Sequence, residues 1–185
     1  MIKCVIFFVA LTVYPIATLA NTAEAPDIYI DKGACPFECC TYRDWTVNVN
    51  TILYKFSDEA SPKIGVVKKG EVVQGLTGEV RTKGRKFLVH STQGEFSPGD
   101  IIWVYTYLGE GFFKVWHNGG FFEMGLGFSP YGGSMGKRCE IGDYCWGELE
   151  QELSSTWWVK IKSKSGLEGW SNKADNFGHK DACGM

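Results

Sequence analysis

The chain has 185 residues, with 19 basic and 21 acidic side chains and a net charge of −2 at pH 7. That length allows one medium domain or two small ones, with enough chain to bury a real core. The charge balance offers no basic footprint for nucleic acid or for an anionic membrane surface, so neither is expected as a partner.

Met1 to Ala20 places Lys3 before an apolar run that ends at the small residue Ala20, ahead of the polar "NTAEAPD". That is the pattern of a secretory signal peptide, with the cut expected after Ala20. The run is too short for a membrane anchor, contains Pro15 and has no basic stop-transfer flank. Cys4 precedes it, so it is not the lipid-bearing cysteine of a lipoprotein signal. Removing residues 1–20 takes away Lys3 and no acid, which moves the net charge from −2 to −3. The mature protein is expected to be periplasmic or secreted, with no stable membrane insertion.

Six cysteines then remain: Cys35, Cys39, Cys40, Cys139, Cys145 and Cys183. An even set in an exported chain favours disulfides, because that compartment lacks the reductants that keep cytosolic thiols free. Cys139 and Cys145 are spaced to staple the loop "CEIGDYC", and Cys183 is expected to pair with one of the "CPFECC" set and tie the termini together. The remaining pair would fall within Cys35, Cys39 and Cys40, where vicinal geometry is awkward, so the pairing there stays open. A zinc site built from Cys35, Cys39, Cys40 and Cys183 lacks the two CxxC knuckles, and no metal or cofactor is expected.

From Asp44 onward, short runs alternate with period two between turn residues, as in antiparallel strands. "TILYKF", "IGVVKKGEVVQGLTGEV" and "KFLVH" fit that description; only "GELEQELSS" has a helical pattern, of about two turns. Such a chain is all-β, a barrel or sandwich. In the strand expected from Ile101 to Tyr107, Ile102, Val104 and Thr106 share one face with Phe113 and Val115 of the return strand. Ile101, Trp103, Tyr105 and Tyr107 share the other with Phe112, Lys114 and Trp116, an aromatic stripe that is either a second buried face or a binding platform. In "WWVKIKSKSGLEGWSN", Trp157, Val159 and Ile161 fall on a core face, while Trp158, Lys160 and Lys162 fall on a wet one. Gly166 is placed to take a positive φ in the turn.

"TWWVKIKSKSGLEGWSNKADNF" resembles the closing half of an SH3 fold, with paired tryptophans, a distal hairpin, a Gly-aromatic return and a short 3₁₀ turn. "TILYKFSDEASPKIGVVKKGEVVQGLTGEV" resembles the opening half of the bacterial SH3-like (SH3b) domain. The resemblance implies small SH3-like barrels, as two units or one elaborated unit, with a short helix and disulfides. Two are favoured here, because one barrel needs only about sixty residues. The expected layout is a signal at 1–20, a Cys-rich segment at 21–44, units at 45–95 and 96–178, and a tail at 179–185. The family further implies a non-catalytic module that binds a peptide, peptidoglycan or an envelope protein. Tyr54 and Trp158, beside the acids Asp58 and Glu59, match its aromatic groove, and with Tyr105 and Trp116 they form the expected ligand-binding set.

Catalytic alternatives find little support. His90, His117 and His179 form no metal-binding or triad pattern, and each is read as a surface or turn histidine. Glu110 and Asp100 are carboxylates at turns, where conformational preference explains them. The alternative function is a small cell-wall hydrolase or an inhibitor of one.

Overall fold

The computed structural model describes residues 24–37, 39–126 and 146–183. In chain order the strands are β1 (Ile28–Lys32), β2 (Asp44–Val47), β3 (Thr51–Tyr54), β4 (Lys63–Val67), β5 (Val72–Lys83), β6 (Arg85–Val89) and β7 (Ile101–Gly109). They continue with β8 (Phe112–His117), β9 (Gly120–Gly125), β10 (Gly147–Leu149), β11 (Ser155–Ser163), β12 (Glu168–Ser171) and β13 (Phe177–Gly178). A 3₁₀ turn, Ala174–Asn176, precedes β13. The protein is all-β among the described residues, as its alternation predicts.

Two antiparallel sheets result. The first, a curled half-barrel, runs β13-β2-β5-β11-β12-β3-β4, with β1 paired to the far end of β5; the second runs β10-β6-β7-β8-β9. The first sheet therefore combines chain from before residue 84 and after residue 154, while the strands between form the second.

Each sheet buries its own core. Trp45, Val47, Leu53, Val67, Val73, Val159, Ile161 and Phe177 pack together in the first. Phe87, Ile102, Val104, Phe113, Val115, Trp146 and Leu149 do so in the second. Val159 and Ile161 are fully buried, as the alternation of "WWVKIK" requires; on the opposite face Lys162 is exposed, but Trp158, expected to be wet with it, is buried against Tyr54 and Arg81. The hairpin turn after β11 is made by Gly166 at φ +87°, a left-handed conformation that a side chain would strain. Gly169 admits close packing in the return strand, since a Cβ there would stand 2.8 Å from Ile64 and from Leu53.

One residue on β5 sets how far its inner face extends. Thr77 pairs with Lys160 and Gly75 with Ile161, so Leu76 is an extra residue, a bulge. The bulge switches the parity of the buried positions from Val73 and Gly75 to Gly78, Val80 and Thr82. The twelve-residue strand thereby keeps one continuous inner face past the end of the first core.

Two expectations are corrected. "GELEQELSS" is not helical: Gly147–Leu149 is strand, paired with Phe87, Leu88 and Val89, and the residues up to Ser154 are irregular. A two-turn helix carries the full nucleation cost, and the strand buries Trp146 and Leu149 instead. Tyr107 leaves the aromatic face, because β7 carries an extra residue between Val104, opposite Val115, and Tyr107, opposite Phe113. Its ring lies 5.2 Å from that of Phe113, on the core side.

Cys183 pairs with Cys39, tying the end of the chain to the N-terminal loop, and Cys35 pairs with Cys40. The Cα separations of 5.4 and 5.5 Å suit such bonds. Adjacent cysteines reach different partners because Cys39 adopts φ 62°, which turns the chain between them. Residues 1–20, Cys139 and Cys145 lie outside the described residues.

Replacing Ile161 with alanine removes most of a fully buried side chain and is expected to cost about 2–5 kcal/mol. Urea denaturation measures this, and an unchanged midpoint would show that the position is not core.

Candidate functional site

The two sheets meet where β5 runs through Gly84 into β6. A Cβ at Gly84 would lie 2.8 Å from the Tyr105 ring, so only glycine lets that ring seat against the backbone. The Tyr105 hydroxyl donates to the Pro26 carbonyl at 2.5 Å, and the Gly84 amide donates to the Asp27 carbonyl at 2.9 Å. Close by, the Thr82 and Thr106 hydroxyls share a buried hydrogen bond of 2.9 Å across the sheets. The extra residue in β7 accounts for this, because it allows consecutive Tyr105 and Thr106 both to be buried at the junction.

Beside the junction lies a half-open cleft of about 840 Å³, lined from both sheets. Asp31, Val80, Thr82 and Ser155 form the wall on the first sheet. Tyr105 to Gly109 form the wall on the second, and Ala34 to Phe37 close one end. That end segment is held by the Cys35–Cys40 bond and by Tyr42, whose hydroxyl donates to the Ala34 carbonyl. Trp157 Nε1 in turn donates to the Tyr42 oxygen at 3.2 Å, and the Phe37 ring stands edge-on to Trp157 at 6.0 Å. The disulfide loop is thus fixed to the first core by a chain of rings and hydrogen bonds.

Burial raises the Asp31 carboxyl above its ordinary value, and the positive charge of Lys114 opposes that shift. Burial likewise raises the Tyr42 phenol; its bond from Trp157 lowers it and the Asp31 charge raises it further. Tyr105 is pushed up to about 12, mainly by burial and secondarily by Asp27, so it stays a neutral donor.

The four ring residues expected from the sequence fall into two pairs. Tyr54 and Trp158 meet at 5.9 Å, with the Arg81 guanidinium 5.7 Å from the Trp158 ring. Arg81 donates to Ser57 Oγ at 2.8 Å and pairs with Glu79 at 2.9 Å, and Ser57 also donates to Glu79. Trp158 stands opposite Glu79 in the ladder, so this pair lies on the face of β5 away from Val80 and Thr82. Asp58 accepts from the Ala60 amide and Glu59 from the Asn172 side chain, so both loop acids have local partners.

Tyr105 and Trp116 belong to the second pair, connected through Phe121 at 5.4 and 4.9 Å. Trp103, Trp116 and Phe121 stand directly opposite one another on three neighbouring strands, and Lys86 Nζ lies 5.6 Å from the Trp103 ring. The stripe is thus a half-exposed ladder at Trp103 and Trp116 but buried at Tyr105. Of the four, only Tyr105 lines the cleft. Asp31, Thr82 and Phe37 also line the cleft, together with Thr106, which the alternation had set on the core face. The signal for Asp31 was the alternation in "IYIDK", which sets Tyr29 and Asp31 on one side of a strand.

The remaining candidates have structural contacts. His117 packs on Phe96 at 5.1 Å, His179 bonds Thr46 at 3.0 Å, and His90 lies 3.7 Å from Glu148. Asp100 accepts from the Ser97 amide, and Glu110 takes a left-handed turn conformation at φ 50°. Asp181 lies near the Cys39 and Cys183 sulfurs, but both are bonded to each other and unavailable as thiolate ligands. No protein-family model, curated protein or solved structure matches the chain.

A carboxyl with a raised native pKa holds its proton more tightly when folded. Its contribution to stability is complete below the unfolded pKa and is lost as pH rises through the native one. Asp31→Asn is therefore expected to raise the melting temperature at neutral pH and to leave it unchanged at strongly acid pH. Calorimetry at both pH values checks this; a lower melting temperature at neutral pH would show a stabilising partner for Asp31.

Proposed function

We propose that the chain is an exported, non-catalytic SH3-like binding module that recognises a peptide, a cell-wall component or a partner protein, with its ligand lodged between the sheets. The order of elements supports the SH3-like assignment. β3 and β4 flank a polar loop, Lys68 to Glu71 turn into β5, β11 and β12 form a hairpin, and a 3₁₀ turn leads into β13. The barrel that fits best is a single elaborated unit, residues 44–83 with 155–178, into which 84–154 is inserted. Two disulfides support export, since such bonds persist outside the reducing cytosol. Among the described residues no helix is long and apolar enough to cross a membrane.

The observation that carries the binding role is the cleft itself. Its volume of about 840 Å³ lies in the range of small-ligand sites, about 300–1,000 Å³. Its lining combines apolar side chains and rings with a few hydroxyls and one carboxylate, a mixture that suits a ligand with both apolar faces and hydrogen-bonding edges. The Trp103–Trp116–Phe121 ladder favours a second reading, in which the outer face of the second sheet is the platform. The hydrolase or inhibitor alternative is separated by assay.

The mature protein is expected to bind purified peptidoglycan or an envelope-derived peptide saturably, without releasing fragments. Leu108 is 41% exposed at the cleft wall, so Leu108→Trp should fill the mouth without entering either core. Capture should fall several-fold while the circular-dichroism spectrum stays native. Turnover of peptidoglycan would contradict the binding role, and capture undiminished by Leu108→Trp would move the ligand to the ladder.

A further inference from the structure

We infer that the cleft selects a peptide through a cationic side chain, lysine or arginine, with Asp31 as the counter-charge. This rests on the reading of the cleft as the ligand site. Among the described residues that line it, Asp31 is the one charged side chain. Its carboxylate makes no hydrogen bond or ion pair with any other described residue, although it is half-buried. Lys114, whose charge acts on Asp31, has its ammonium 3.4 Å from Glu123, which neutralises it locally.

A carboxylate partly stripped of water and left without a partner costs free energy in the empty protein. An incoming cation removes that cost. The rest of the lining fits the same guest, because Phe37, exposed at one end of the cleft, presents an aromatic ring there. Ring faces attract ammonium and guanidinium groups, and ring edges and apolar walls pack the methylene stem.

The cleft is larger than one lysine side chain needs, and its polar groups point to a backbone. In the Thr82–Thr106 pair one hydroxyl donates to the other, which leaves the second hydroxyl proton free for an acceptor. Ser155 adds a hydroxyl that has no partner among the described residues. These are donors and acceptors for peptide amides. A free amine would use the acid and leave them idle.

The test uses the full mature chain, isotope-labelled, titrated with three probes: acetyl-Gly-Lys-Gly-amide, the same peptide with norleucine in place of lysine, and n-butylamine. The lysine peptide is expected to shift the Asp31, Thr106 and Tyr107 amides and to bind about tenfold more tightly than the norleucine peptide, the scale of one charge-assisted contact. It should also bind more tightly than n-butylamine. Asp31→Asn should abolish the preference for lysine, and its native spectrum would show that the fold is intact. Equal binding of the two peptides, or a preference that survives Asp31→Asn, overturns the inference while leaving the cleft as a ligand site. Butylamine binding as tightly as the lysine peptide overturns the peptide part. If no probe shifts the cleft amides, the cleft itself fails as the ligand site and the inference falls with it.

Discussion

The pairing of β5 with β11 is the constraint on which the rest of this structure depends. Thr82 stands opposite Ser155 at one end of that ladder and Val73 opposite Ser163 at the other. The chain that leaves the first sheet at Lys83 must therefore return to almost the same point. Everything between is a closed excursion, and closing a long loop costs only slightly more entropy than closing a short one. The excursion also brings its own core of Phe87, Ile102, Val104, Phe113 and Val115, so it adds buried surface of its own. On the other side, Val159 and Ile161 of β11 are buried with Trp45 and Leu53, which ties the late segment to strands formed a hundred residues earlier in the chain.

The cleft is a by-product of two small irregularities. Without Leu76 as an extra residue in β5, Val80 and Thr82 would face the opposite way and the first wall would present Glu79 and Arg81. Without the extra residue in β7, Tyr105 and Thr106 would not both be buried at the junction, and Tyr107 would share a face with Tyr105. Each bulge re-aims side chains by one residue, and together they turn two neighbouring sheets into a lined crevice. Rigid supports then fix its end: the Cys35–Cys40 bond, and the succession from Ala34 through Tyr42 to Trp157. The half-buried Asp31 carboxylate, which has no hydrogen-bond or ion-pair partner among the described residues, breaks the local rule that such groups are satisfied, and such departures are where function is most economically sought.

Much of the fold was legible because it is local. Alternation within a hairpin assigns Ile102, Val104, Phe113 and Val115 to one face, and Val159 and Ile161 to another, without knowledge of the rest of the molecule. The turn at Gly166 and the pairing of Cys183 with the "CPFECC" set were legible for similar reasons of conformation and spacing. The bulges were not, because an extra residue shows itself only against a partner strand. Nor was the fate of "GELEQELSS", whose weak helical pattern gave way to pairing with β6. The four rings chosen as a site illustrate the same limit. Parity told which residues share a face within each hairpin, but not that Tyr54 and Trp158 would lie on one side of β5 and Tyr105 beyond the other.

The central structural claim is that the chain before residue 84 and the chain after residue 154 share one sheet. Cross-strand nuclear Overhauser contacts in the labelled mature protein test it most directly. The account predicts backbone contacts between residues 77–80 and 157–160, with slowly exchanging amides along both strands. Contacts that link β5 to β6 and β7 as its only lateral neighbours, with Val159 and Ile161 amides exchanging freely, would contradict it.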